Sequence, residues 1–324
     1  MYFTGSKEHN VLLRERAIRH GLRLNEYGLF PEDGENGTPQ SRGVAPTASD
    51  TEESIYEALE LPYHPPELRE ERDGIEESPG KLVDVDSIRA ELHSHTDASD
   101  GVLSIRSLAL EAKARGLHTI AVTDHSRSSV QANGLSEKRL LAHIDAIHEV
   151  DSELKGIRVL AGSEVDILAD GSLDYDDELL AKLDLVVASP HVALRQDPAK
   201  ATRRLLQAIR HPLVHIIGHP TGRIINRREG LSPDMPKLVE AARECDTALE
   251  INANPLRLDL RDTHVRLAVD AGCLISIDTD AHRAEDFDLL RYGVLTARRG
   301  RLGPDQCVNA WTAKKLHAWL ESKR

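Results

Sequence analysis

The sequence is poor in several features that commonly organise a chain of 324 residues. Its three cysteines, Cys245, Cys273 and Cys307, are odd in number, far apart and form no Cys-x-x-Cys pair, so neither a disulfide framework nor a zinc–thiolate site is indicated. Aromatic residues make up only 3%, within a hydrophobic content of 40%. The core must therefore come from Leu, Val, Ile and Ala, as in a barrel of buried parallel strands. No signal peptide is evident and no apolar run approaches membrane-spanning length, which predicts a soluble, cytoplasmic protein with no membrane partner. Net positive charge is absent as well: at −13, no overall basic field draws the chain to nucleic acid. A phosphate ligand would have to be held by local cations, and bound divalent metals would serve as such cations.

What the chain has in quantity is histidine, with 16 residues. The densest stretch is Glu91-Leu92-His93-Ser94-His95-Thr96-Asp97-Ala98-Ser99-Asp100-Gly101. Ile88, Ala90 and Leu92 alternate before it, so His93 sits at the exit of a strand. Residues i and i+2 of an extended chain point to one side, so His93 and His95 aim at one point, as a metal chelate requires. Asp100 follows in a turn closed by Gly101 and can add a carboxylate.

Taken in order, residues 1–30 hold a helix capped by Ser6 and ending near His20 before Gly21, with a basic outer side. Pro31 to Asp50 is rich in Gly, Pro, Ser, Thr and acidic residues and reads as a disordered linker. A short helix fits 52–59, the prolines near 62–66 keep the chain extended, and the charged stretch 67–81 reads as an exposed connector. The reading therefore divides the chain into an appendage at 1–30, a partly disordered linker at 31–82 and a catalytic-size domain at 83–324.

From residue 87 strand and helix alternate. Strands are predicted at 88–92, 118–123, 157–163, 184–189, 213–218, 247–252 and 273–279. Helices are predicted near 104–115, 136–153, 176–182, 198–210, 233–245 and 261–271, with two more near 304–310 and 312–322. Seven strands in this order predict an α/β fold with a parallel, barrel-like sheet and a small, mostly helical N-terminal appendage.

In such a barrel functional side chains gather at the carboxyl ends of the strands. The first strand ends in His93 and His95, the second in Asp124-His125, the third in Glu164 and the fourth in His191. The fifth ends in His219, and the seventh in Asp278-Thr279-Asp280-Ala281-His282; only the sixth offers Asn252 and Asn254 instead. Any one of these histidines would more readily be a hydrogen-bonded core or loop residue, as His118, His143, His148 and His215 are expected to be. Their joint placement at one end is what points to metal. Six histidines with three carboxylates suit two or three divalent ions of zinc, manganese or iron type, with Glu164 placed to bridge two of them. Clustered ions of this kind suit phosphoester hydrolysis, because they lower the pKa of a shared water and neutralise oxyanions. Arg195, Arg223 and Arg257 follow strands four, five and six and are candidates to grip phosphate, while Asp97, Asp124 and Asp278 are expected to orient or support.

The motifs HSHTDASDG, TDHS, GSEVDI, SPH, GHPTGR and SIDTDAH resemble those of the polymerase-and-histidinol-phosphatase (PHP) family, from about residue 87 onward. That resemblance implies a distorted seven-stranded TIM-like (β/α)7 barrel with a trinuclear site. Its implied ligands are His93, His95, Asp100, His125, Glu164, His191, His219, Asp280 and His282. It further implies one ion on His93, His95, Glu164 and Asp280, a second on Glu164, His191 and His219, and a third on Asp100, His125 and His282. Glu164, Asp280 and His282 would be catalytic through the ions they hold.

YFTGSKEHN, GLRLNEYGLF, SIYEALELPYHPPELRE and INANPLRLDL are similar to segments of bacterial family X DNA polymerases that carry a C-terminal PHP domain, and Tyr2 to Ser6 resembles their nucleotide-contacting segment at the palm-to-thumb junction. In that family the PHP domain is a metal-dependent 3′–5′ exonuclease with 3′-end-cleaning activity in base-excision repair. The family's palm, with its catalytic aspartates, has no counterpart, so no polymerase activity is expected. Met1 is expected to stand for an internal residue, since the chain starts inside a recognisable segment. The leading expectation is hydrolysis of phosphoesters at DNA 3′ ends. A phosphatase for small monoesters such as histidinol phosphate is the second, and an inactive DNA-binding or docking remnant the non-enzyme alternative. An amidohydrolase barrel would need a lysine after strand four, where this chain has His191.

Overall fold

The computed structural model describes residues 1–70 and 74–323. Residues 71–73, part of the connector expected at 67–81, and Arg324, the last residue of the expected 83–324 domain, lie outside the described residues. The chain divides into two compact units, Met1–Lys81 and Leu82–Arg324.

In the first unit Ser6 caps helix α1 (Lys7–Arg19) by accepting the His9 N–H, and Gly21 follows its end at φ 66°. A hairpin that the sequence reading passed over comes next, β1 (Leu22–Asn25) paired antiparallel with β2 (Gly28–Pro31). Helix α2 (Glu52–Ala58) starts at a capping box of Thr51 and Ser54. Leu13, Ala17, Leu24, Leu29, Ile55, Tyr56 and Leu59 close a small core. Part of the stretch expected to be a linker, 31–50, is tied to this hairpin. Thr47 and Ala48 donate their N–H groups to the Leu29 carbonyl, and Leu29 donates back to Ala48. A segment too polar to build a core is thus held by backbone bonds to the open edge of the hairpin.

Arg69 is wholly buried between Tyr56 and Tyr63 and donates from Nη1 (3.1 Å) and Nη2 (2.5 Å) to the two Glu52 oxygens. That hydrogen bonding holds the Glu52 carboxyl down at about 2, against an ordinary 4.5. A depressed carboxyl contributes stability that is complete above the ordinary value and is lost as pH falls through the folded one. Hydrogen exchange in peptides from residues 1–70 is therefore expected to accelerate as pH drops from about 4.5 towards 2 beyond its intrinsic pH trend. Glu52→Gln should remove that extra pH dependence and destabilise the unit at neutral pH by about 1.5–3 kcal/mol. An unchanged exchange profile in the variant would refute the coupling.

The second unit is a nearly closed barrel of seven parallel strands. They are β3 (Ala90–Glu91), β4 (Thr119–Val122), β5 (Arg158–Asp166), β6 (Leu185–Ser189), β7 (Ile216–Ile217), β8 (Ala248–Asn252) and β9 (Ile275–Asp278), neighbours in that order. Between them run α3 (Ile105–Ala114), α4 (Glu137–Glu153), α5 (Asp177–Leu180), α6 (Pro198–Ile209), α7 (Met235–Glu244) and α8 (Asp262–Asp270). Helix α3 starts at Ser104, as its cap signal predicts. The seam between β3 and β9 has no ladder. It is held by one bridge, Ser94 with Ala281, and by Asn309, whose Nδ2 donates to the Ala90 carbonyl and to Asp278 and whose Oδ1 accepts the Ile277 N–H.

Two stretches differ from expectation. The helix expected at 304–310 is only a 3-10 turn, Val308–Ala310. An unforeseen helix, α9 (Leu290–Arg299), packs on β9 and β8 instead. Its buried face is Gly293, Val294, Thr296 and Ala297, and a Cβ on Gly293 would fall 2.7 Å from Ile277 Cγ2. Helix α10 (Ala313–Glu321) then contributes Leu316, Trp319 and Leu320, which pack with Trp311 against Leu92, Leu185 and Ile216 inside the barrel. This plugs the amino-terminal end, so polar side chains collect at the carboxyl-terminal end.

Candidate metal centre

Every candidate ligand reaches one point at the carboxyl-terminal end of the strands. His93 and His95 leave β3, Asp100 lies in the following turn, His125 follows β4 and Glu164 lies inside β5. His191 follows β6, His219 follows β7, and Asp280 and His282 follow β9. Gly218 makes room for the approach of β7, because a Cβ there would fall 2.3 Å from Ser189 Oγ and 3.5 Å from His93 Cε1. His219 (φ 23°) and Asp280 (φ 55°) sit in the left-handed region, a local cost that the surrounding bonds must hold.

Glu164 is the hub. Its Oε1 lies 2.8 Å from His219 Nε2, 3.2 Å from His191 Nε2 and 3.3 Å from His93 Nε2. Its Oε2 lies 2.8 Å from His125 Nδ1 and 3.7 Å from His95 Nε2. Asp280 Oδ1 stands 3.0 Å from His95 Nε2 and 3.6 Å from His93 Nε2. Asp100 gathers the outer side, 3.3 Å from His282 Nε2, 3.5 Å from His125 Nε2 and 3.8 Å from His95 Nδ1. Three groups are compact enough for an ion: His93, His95 and Asp280; His125, Glu164 and His191; and His95, Asp100, His125 and His282. They differ from the division implied by resemblance in three ways: Glu164 is absent from the His93 group, His95 and His125 each stand in two groups, and His219 joins through Glu164 alone.

The donor set fits divalent metal on a separate ground. Buried atoms His93 Nε2, His95 Nδ1 and Nε2, His125 Nδ1, His219 Nδ1 and Glu164 Oε2 have no hydrogen-bond partner. Buried polar groups are ordinarily paired, and each orphan costs about 1–3 kcal/mol. Some are close without being aligned as hydrogen bonds, which is how ligands surrounding an ion stand. Electrostatics agree. Burial works against charge throughout, yet Glu164 and Asp100 raise His125 to about 10, and neighbouring carboxylates raise His191 and His282 to about 9. The surrounding imidazoles hold Glu164 and Asp280 well below the carboxylate range despite their burial. His219, buried and facing Arg257, falls to about 3. A divalent ion bound there would supply the positive charge that His125, His191 and His282 otherwise gain as protons, and its binding would be coupled to their release. His93, His95 and Glu164 are sealed from solvent, whereas Asp100, His191 and His282 are partly exposed and form the open edge.

Behind the ligands stands a second row of carboxylates that sequence reading missed. Glu250 in β8 accepts the His93 Nδ1–H at 2.6 Å and the His219 backbone N–H at 2.5 Å. Burial pushes its carboxyl up to about 7 even with His93 beside it. Asp166 accepts from His191 Nδ1 and from Ser129, and Glu91 accepts the Thr279 N–H and O–H. Asn252 donates to Asp280 at 3.0 Å. Such partners fix the tautomer and aim of each ligand. The one legible signal was periodicity: Glu91, Asp166 and Glu250 each lie two residues from His93, Glu164 or Asn252 on the same strand. Of the expected supports, Asp124 accepts from His143 and Thr96, and Asp278 from Leu92 and Asn309. Asp97 is exposed and supports nothing among the described residues.

The arginines separate. Arg195 is exposed on the loop after β6. Arg223 is committed to the backbone, donating to the carbonyls of Arg257 (2.8 Å) and Leu258, and so braces a loop instead of presenting itself to phosphate. Arg257 is half-buried and lies within electrostatic reach of His219.

Residues 91–254 match the family model of the PHP domain, and residues 1–70 that of the DNA polymerase beta thumb. The chain is 40% identical over 323 residues to the DNA polymerase/3'-5' exonuclease PolX of Bacillus subtilis (strain 168), covering 99% of this chain and 55% of that one. It is 29% identical over 233 residues to a probable phosphatase of Syntrophotalea carbinolica, covering 68% of this chain and 90% of the relative. A solved structure of histidinol phosphate phosphatase from Lactococcus lactis superposes with a TM-score of 0.47 at 17% identity, covering 66% of this chain and 94% of that one. No helix among the described residues is long and apolar enough to cross a membrane.

Proposed function

We propose, from the premise that this chain belongs to the PHP domain family and is a phosphoesterase, that its barrel hydrolyses phosphoesters at the 3′ ends of DNA with the aid of two or three divalent ions. The observation that carries the reading is the gathering of nine candidate ligands at the carboxyl-terminal end of the strands, five of them imidazoles facing Glu164, with orphaned nitrogens among them. Divalent ions bound there would lower the pKa of a water and neutralise charge on the phosphoryl oxygens. The chain's own residues do the rest. Glu164, Asp280 and His93 set the buried floor, Glu250 and Asp166 hold the imidazoles in register, and the partly exposed Asp100, His191 and His282 frame the entry. Likeness over nearly the whole chain to a relative named as a 3'-5' exonuclease, together with the thumb match, supports DNA as substrate. A second reading, hydrolysis of small phosphomonoesters, is supported by the relatives named as probable phosphatases.

A gel assay separates the two readings, using a 5′-labelled oligonucleotide and a 3′-phosphorylated copy with manganese, and Asp280→Asn as the control for contaminating nucleases. A ladder of shortened products, or removal of the 3′ phosphate alone, lost in the variant, is the expected result. Survival of both oligonucleotides while small phosphate esters are hydrolysed would sink the DNA reading in favour of the second.

A further inference from the structure

Beside the metal centre lies a cavity of about 640 Å³, walled by the loop 221–232 and by Arg261 at the start of α8. In a chain of net charge −13, four arginines, Arg223, Arg227, Arg228 and Arg261, line it against a single carboxylate, Glu229. The loop is rigidly built. Ile224 and Arg228 exchange backbone hydrogen bonds, with Asn226 at φ 61° turning the tip. Ile225 donates its N–H to the Leu256 carbonyl, and Thr221 donates N–H and O–H to buried Asp259. Thr221 is two residues beyond His219, and Arg257, which faces His219, also presses electrostatically on Arg228. The cavity therefore adjoins the cluster at the turn after β7, where lining residue Thr221 stands between His219 and Gly222, whose N–H donates to the His219 carbonyl at 2.8 Å.

Three of these, Arg227, Arg228 and Arg261, and the neighbouring Arg257 pair with no carboxylate among the described residues; the Arg228 side chain donates one bond, from Nε to the Gly222 carbonyl, and keeps its remaining N–H groups. Unpaired like charges held close repel, and an anion placed between them removes the repulsion while gaining charge-assisted hydrogen bonds. Ile224, Ile225 and Leu231 supply the apolar part of the lining, and no aromatic ring is present to stack a base.

We infer that this cavity is a subsite for the phosphodiester backbone of a nucleic-acid strand whose end lies at the metal centre. The inference rests on the proposed DNA substrate and deepens it: the cluster acts on the terminal phosphoester, and the arginine loop holds an interior phosphate that a small monoester does not possess. Recognition by guanidinium groups alone is blind to base identity and sensitive to salt.

Binding tests this without any need for turnover. A labelled single strand is titrated by fluorescence anisotropy against the Asp280→Asn protein, with and without Arg227→Gln and Arg261→Gln, at several potassium chloride concentrations. Both arginines are exposed and their side chains make no hydrogen bond among the described residues, so the fold should tolerate their replacement. The double substitution should weaken binding about tenfold and flatten the slope of log K against log salt by about 1.4, at about 0.7 per lost phosphate contact. An unmoved Kd and slope, or no binding by the parent, would overturn the inference. The proposed function is judged separately by the gel assay: cleavage of oligonucleotide with no arginine effect leaves it standing while the subsite falls.

Discussion

Glu164→Gln should lower kcat/KM on any phosphoester at least about 10³-fold, equivalent to about 4 kcal/mol of transition-state stabilisation. The substitution keeps shape and removes charge from the one carboxylate whose oxygens face His93, His95, His125, His191 and His219. An amide offers one weaker acceptor and turns an NH2 towards nitrogens that would also have to face a cation. The group of His125, Glu164 and His191 would lose its carboxylate, and His93 and His95 the anion they face, so the metal content of purified protein, read by plasma mass spectrometry, should fall with activity. A variant that retains a tenth of the parent rate with full metal content would show that this cluster is not the reacting centre.

Glu250→Gln should be the next largest effect and of a different kind. Glu250 touches no candidate open position; it holds the His93 ring through Nδ1 and the His219 backbone through N–H. Loss of such a partner typically costs 10–100-fold in metal affinity or activity. The manganese concentration giving half-maximal activity should therefore rise by about 10–100-fold, while the rate at saturating manganese recovers to within about threefold of the parent. A purely structural role would instead lower thermal stability and maximal rate together, with half-activation unmoved. That pattern would remove Glu250 from the positioning of ligands.

Much of the centre was legible because its signals are local. His93 and His95 at i and i+2, His125 after Thr123-Asp124, and Asp280 with His282 each announce themselves within a few residues of a strand's end. The strands themselves read as short apolar runs because both their faces are buried. Glu250 escaped notice because it sits inside such a run, Ala248–Asn252, and its partner His93 is 157 residues away. Within 31–50, the backbone bonding of Thr47 and Ala48 to an open strand edge leaves no mark in composition.

The sequence by itself determined the fold class, the order of the barrel strands and the nine side chains at their carboxyl ends, because periodicity and residue type are properties of short stretches. Which carboxylates stand behind the ligands, and which arginines are spent on backbone carbonyls or lack a carboxylate partner, follows from the closed barrel alone. Those outcomes depend on distances between residues remote along the chain, and closing the barrel is what sets them.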